Sequence, residues 1–149
     1  MKPSLPLPPE ASPATSDAEP SRFAALLVAA RGASAKAYAP YSRFHVGAAV
    51  LADDGRIFTA ANIENASYGL TSCAERNAVF AAVFAGVRNI VAVAIHTPTD
   101  TPVSPCGACR QVIYEFGPDA IVASCCDGAG ERTWSIDALL PGAFGPKDL

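Results

Sequence analysis

The stretch CAERNAVFAAVFAGVRNIVAVAIHT, residues 73–97, decides the fold. Its first half, 73–85, is an alanine-rich run of good helix formers closed by Gly86, the pattern of a helix with a glycine stop. Its second half, NIVAVAIHT (89–97), is short, apolar and rich in β-branched residues, which reads as a buried strand. A helix feeding directly into a strand is the repeating unit of an α/β protein, and the flanks continue it. Upstream, SRFAALLVAARGASAKAY reads as a helix capped by Ser21 and stopped by Pro40. VGAAVLA (46–52) and RIFTAANI (56–63) surround Asp53-Asp54-Gly55 and form a hairpin. Downstream come a loop with prolines at 98, 102 and 105 and a helix from near Gly107. The strand AIVASCC (120–126) follows, paired with ERTWSI (131–136) across Asp127-Gly128. The order α-β-β-α-β-α-β-β implies a mixed sheet covered on both faces, a three-layer α/β/α sandwich.

Composition bounds the function. The chain has 149 residues, enough for one domain. No apolar run approaches the ~20 residues that cross a bilayer. Eleven basic against fourteen acidic residues, with no Lys/Arg block, leave no electrostatic footprint for a nucleic-acid polymer, so a small substrate is expected. Mean hydropathy is +0.23 with only 17% charged residues, more apolar than a monomer of this size needs, which points to subunit contacts. Residues 1–20 hold six of the thirteen prolines and lack periodicity. Pro6, Pro8 and Pro9 break the apolar core that a signal peptide requires. The segment reads as a disordered extension ahead of a domain spanning 21–149. Five cysteines, an odd number without a secretory signal, suit reduced thiols in the cytoplasm rather than a disulfide framework.

Two segments carry chemistry: Thr71-Ser72-Cys73-Ala74-Glu75-Arg76 and Ser104-Pro105-Cys106-Gly107-Ala108-Cys109-Arg110-Gln111. Each sits where a loop enters a helix. Cys106 and Cys109, three apart, share a face of a first helical turn and can grip one ion. Cys73 opens the preceding helix, and helix N-termini favour thiolates. Three thiolates leave a tetrahedral zinc with one open position, the mark of a catalytic site. Glu75, about 200° round an ideal helix from Cys73, is poorly placed to ligate and suited to general acid–base work. Plainer readings stand beside these. Ser72-x-x-Glu75 is also a capping box, and Cys-Gly-Ala-Cys also fits a redox dithiol or half of a structural zinc site. Cys125 and Cys126 end a strand and read as core, and His45 and His96 have no ligand-like spacing.

Cys73-Ala74-Glu75 followed by Pro105-Cys106-Gly107-Ala108-Cys109 is the zinc-deaminase pattern with cysteine as the first ligand. With Tyr38-Ala39-Pro40-Tyr41-Ser42-Arg43-Phe44, Val46-Gly47-Ala48-Ala49, Asn62-Ile63-Glu64-Asn65-Ala66-Ser67-Tyr68 and Leu140-Pro141-Gly142-Ala143-Phe144, residues 21–149 resemble the small three-cysteine cytidine deaminases. The resemblance implies a cytidine deaminase-like α/β fold and hydrolytic deamination of cytidine and 2'-deoxycytidine. In it, zinc hydroxide attacks C4 and Glu75 shuttles protons. It implies one Zn²⁺ per subunit on Cys73, Cys106 and Cys109, with Arg76 bonded to the ligand sulfurs. It further implies that Phe44 stacks on the pyrimidine, that Asn62 and Glu64 hold the ribose, and that the backbone at Ala74 reads the base edge. Phe144 would reach a neighbouring active site in a homotetramer. An aminonucleoside-antibiotic deaminase of the blasticidin type shares the zinc motif; Asn62-Ile63-Glu64-Asn65-Ala66 favours ordinary cytidine.

Overall fold

The structure is a computed structural model that describes residues 20–149. The expected disordered extension therefore lies, up to residue 19, outside the described residues. The elements run α1 (Pro20–Ser34), β1 (Gly47–Ala52), β2 (Ile57–Ala61), α2 (Ala74–Phe84), β3 (Ile90–Thr97), α3 (Gly107–Phe116), β4 (Ile121–Cys126), β5 (Glu131–Ser135) and α4 (Ile136–Leu139). The strands form one sheet in the order β2-β1-β3-β4-β5. Only β3 and β4 are parallel, as a helical crossover through α3 demands; the other neighbours are antiparallel.

Strand alternation sorts the core into two layers. Ala49, Ala92, Ala94, Ala123 and Cys125 face α1, where they meet Leu26, Leu27 and Ala30. Val50, Val93, Ile95 and Val122 face the other way, against α2 and α3. Helix α2 lays Ala74, Ala78 and Ala82 on the sheet at a four-residue spacing, and side chains no larger than a methyl let it approach closely. It ends as expected, with Gly86 at φ +93 and bonds from Gly86 N to the Val83 carbonyl and Val87 N to the Ala82 carbonyl.

Both ends of helix α1 differ from the sequence reading, as do the end of β2, at Ala61, and Ile136, which opens α4 and does not extend β5. Helix α1 starts at Pro20, one residue ahead of the expected Ser21 cap, because proline is tolerated in a first helical turn. It stops at Ser34, well short of Pro40. There Lys36 N and Ala37 N reach back only three residues, and Tyr38 N donates instead to the Asn62 carbonyl, so a bridge to the hairpin ends the helix before proline can. Cys125 and Cys126 are buried in β4, as expected of core residues. His96 is buried with Nε2 3.0 Å from Asp127 Oδ1, a structural placement.

Gly47 marks the closest approach of helix and sheet, since a Cβ there would overlap the Ala30 carbonyl oxygen and crowd Ser34 N. Both neighbours are backbone and cannot swing aside. Gly47→Ala is expected to destabilise the fold by about 1–3 kcal/mol, the range of overpacked cores, read as a lower urea midpoint at unchanged slope.

Candidate active site

The site is built at the adjacent N-termini of α2 and α3. Cys73 is the N-cap of α2 and Cys106 the N-cap of α3, both with extended backbone, while Cys109 lies in the first turn of α3. Cys73 thus precedes its helix rather than forming part of it. Its sulfur is 4.0 Å from that of Cys106, which is 3.5 Å from that of Cys109, and all three Sγ atoms lie within 4.8 Å of one another. Sulfurs about 2.3 Å from one tetrahedral ion stand about 3.8 Å apart, so the thiols fit a single zinc. Among the described residues no other group of His, Cys, Asp and Glu side chains is so placed. Cys109 is buried, Cys73 half-buried and Cys106 exposed, so the cluster opens on one side.

The electrostatics favour thiolate at Cys73 and thiol at Cys109. The Cys73 thiol is pulled down to about 5 by hydrogen bonding from Cys109 and by the Arg76 guanidinium, against the opposing effect of burial. Cys109 is pushed up, by its hydrogen bond to Cys73, by burial and by the nearby Glu75 charge. Three thiolates crowded together cannot all ionise without a cation, which is the demand zinc meets. Arg76 Nη2 lies 3.5 Å from Cys73 Sγ and 3.3 Å from the Thr71 carbonyl. Its Nε is buried without a partner, an unmet donor next to the sulfurs.

Glu75 is 5% exposed, on the first turn of α2. Its carboxyl is raised to about 7, mainly by burial and further by the Cys73 charge. The capping-box alternative fails here. Cys73, not Ser72, caps the helix without a side-chain bond, and Ser72 N already donates to the Ile63 carbonyl at 2.9 Å. A buried carboxyl bonded to its own backbone N–H and to Cys109, and charged against Cys73, can accept and return protons near neutral pH.

The Ile63–Ser72 pairing also brings the second group of expected residues to the site, since Ser72 precedes Cys73. Asn62 is buried, accepting from Val46 N at 2.9 Å and donating to the Phe44 carbonyl at 2.8 Å. Its amide fixes the strand entry that displays Phe44, which is 41% exposed. Glu64 accepts from Tyr41 N at 2.9 Å, from Ser42 N at 3.3 Å and from Ser42 Oγ, and these bonds lower its pKa. Arg43 sits in the same loop at φ +58, a left-handed conformation that L-residues rarely adopt. Ala74 is fully buried. Phe144 is 60% exposed on the C-terminal segment, its carbonyl held by Gln111 Nε2 at 2.8 Å.

Sequence reasoning missed the residues that hold these parts in place: Ser42, Asn77 and Arg110. Asn77 Nδ2 donates to the Ala61 carbonyl at 2.9 Å and ties β2 to α2. Ser42 and Arg110 lie inside recognised strings and Asn77 directly follows one, but a helical Asn or Arg without periodicity reads as solvated surface.

An open three-thiol cluster edged by a buried carboxyl, on two helix N-termini of an α/β/α sandwich, defines a metal-dependent enzyme. Comparison with known proteins narrows the class. Residues 21–125 match the family model described as the cytidine and deoxycytidylate deaminase zinc-binding region. A cytidine deaminase of Sporosarcina psychrophila is 50% identical over 126 residues, covering 83% of this chain and 92% of its own length. One from Halalkalibacterium halodurans is 51% identical over 114 residues, covering 76% and 86%. The crystal structure of a cytidine deaminase from Burkholderia pseudomallei, 49% identical, superposes with a TM-score of 0.79 over 81% of this chain and 98% of that one. The chain belongs to the cytidine deaminase family, and its cofactor is zinc.

Proposed function

We propose that this chain catalyses hydrolytic deamination of cytidine and 2'-deoxycytidine to the corresponding uridines and ammonia, in the salvage of pyrimidine nucleosides. The observation that carries the reading is the buried Glu75 carboxyl beside a three-thiol cluster that is open on one side. Cys73, Cys106 and Cys109 would hold the zinc, which would supply the Lewis acidity that makes water a nucleophile near neutral pH. Glu75 takes a proton from the attacking water and gives it to ring N3, which makes C4 electrophilic. It then takes the second proton and delivers it to the exocyclic amine as the C4–N bond breaks. Water's oxygen stays on C4 and ammonia leaves. The buried backbone of Ala74 lines the base edge, and Phe44 offers its half-exposed ring as a stacking face. Arg76 offsets the net negative charge of three thiolates on Zn²⁺.

Asn62 and Glu64 orient the ribose from the rigid loop they stabilise. A site built to meet hydroxyls rejects a substrate that lacks them, so free cytosine is expected to show a kcat/KM at least about 10-fold below that of cytidine. Comparable turnover of the two would overturn the assignment. The catalytic domain is residues 21–149, and it works as a homotetramer in the cytoplasm. Support comes from the exposed Phe144 and from Phe80 and Phe84, large apolar side chains left in water on a single chain. Five unpaired cysteines suit a reducing compartment. Size-exclusion chromatography is expected to show an active species several times the 15.3 kDa chain mass, and an active monomer would contradict the shared site.

The deciding experiment follows loss of the amino-pyrimidine absorbance of cytidine while bound zinc is measured. Deamination with one zinc per chain, lost on chelation and restored by zinc, is the expected result. A wild type holding one zinc per chain but inert toward cytidine would overturn the reading.

A further inference from the structure

Helix α3 and its N-cap supply two of the three zinc ligands, and the helix also carries a set of polar contacts that the proposed chemistry does not use. The Arg110 guanidinium reaches three oxygens on two segments at once. Nε donates to the Pro105 carbonyl at 2.7 Å, Nη2 to Ser104 Oγ at 2.9 Å, and Nη1 to the Leu139 carbonyl at 2.8 Å. Pro105 immediately precedes Cys106 and has no N–H, so its main chain is held only through its carbonyl. Leu139 ends the short helix α4, where carbonyls lack intrahelical partners. On the next residue Gln111 Nε2 holds the Phe144 carbonyl, and Gly145 packs so closely on Tyr114 that a Cβ would come within 2.7 Å of its ring.

An arginine on a helix is most often a solvated surface cation, but Arg110 does not behave as one. It is partly buried, it forms no ion pair among the described residues, and three bonds to neutral oxygens occupy its fork. That arrangement suits guanidinium, whose planar donors point in fixed, divergent directions, and not the point charge of lysine.

We infer that Arg110 is a positioning residue of the active site: through the Ser104 hydroxyl and the Pro105 carbonyl it fixes the loop that delivers Cys106 to the cluster, and through Leu139 it joins that loop to the C-terminal segment bearing Phe144. The inference rests on the zinc-deaminase reading of the site. It makes the metal loop and the C-terminal segment one body, with α3 as the shared support.

The test compares Arg110→Lys, Ser104→Ala and Gln111→Ala in the full chain, loaded with zinc or substituted with cobalt. Arg110→Lys is expected to keep one metal per chain while kcat falls about 10–100-fold, the usual effect of removing a residue that orients a metal ligand. Zinc transfer to a chromophoric chelator should quicken, and the cobalt–thiolate absorption should shift. Ser104→Ala should move the same readouts in the same direction by less. Gln111→Ala, which touches only the Phe144 segment, should raise KM and leave the cobalt spectrum as in wild type. A merely structural Arg110 would lower Tm while leaving the cobalt spectrum, transfer rate and kcat per bound zinc unchanged, and that result overturns the inference. A spectral shift in Gln111→Ala as large as in Arg110→Lys also overturns it. Should Arg110→Lys not fold, Ser104→Ala decides, and a wild-type spectrum and transfer rate there count against the inference. If zinc-loaded wild type fails to deaminate cytidine, the functional reading falls, while the spectral and transfer comparisons still judge Arg110 separately.

Discussion

Glu75→Gln is expected to lower kcat by about 10²–10⁴-fold, the contribution of a positioned general acid–base, while the protein keeps one zinc per chain. The substitution is nearly isosteric, so the buried first turn of α2 retains its packing against the sheet. The amide cannot accept the proton of the attacking water or return it to the leaving amine, and both steps of the proposed reaction lose their carrier. Zinc should remain because the ligating atoms are the three sulfurs, with no carboxylate oxygen among them. Stability should hold or rise slightly, since a buried ionisable group gives way to a neutral one. The measurement is kcat for cytidine together with bound zinc and Tm. Activity within tenfold of wild type at full zinc occupancy would remove Glu75 from the proton path. Loss of zinc in the variant would make it a ligand instead.

The parts of this molecule legible in the sequence are those whose cause is local. Residues 73–97 announce a helix and a strand through composition and a glycine stop, and both appear within a residue or two of their expected limits. The hairpin follows from Asp53-Asp54-Gly55, with Gly55 at φ +87 where a turn needs it. The cysteines were readable because thiol chemistry restricts what such a spacing can serve. What stayed hidden depends on partners distant in the chain. Nothing near Ser34 announces that α1 ends there, because Asn62, in the segment after β2, takes over Tyr38. The partners of Glu64 at Tyr41 and Ser42 are more than twenty residues away. Arg110 likewise finds Leu139 across 29 positions, a contact that no periodicity encodes.

Cys109→Ser is expected to abolish activity through loss of metal, with bound zinc falling by more than the 10–100-fold typical of residues that only support a ligand. Cys109 is the fully buried member of the cluster, enclosed by Cys73, Glu75 and the first turn of α3. A serine hydroxyl there stays protonated and is a poor match for zinc, which the remaining two thiolates and Arg76 cannot rescue. Metal affinity is also folding free energy in a site whose ligands come from two helices, so the variant should show a lower Tm that added zinc no longer raises. Cys125→Ala supplies the contrast. That side chain is also buried but faces α1 on the opposite side of the sheet from the cluster's helices. It should keep one zinc per chain and wild-type activity per bound zinc, at a stability cost no larger than that of a small core truncation. Zinc loss on Cys125→Ala, or full occupancy on Cys109→Ser, would place the ion elsewhere than between the two helix N-termini.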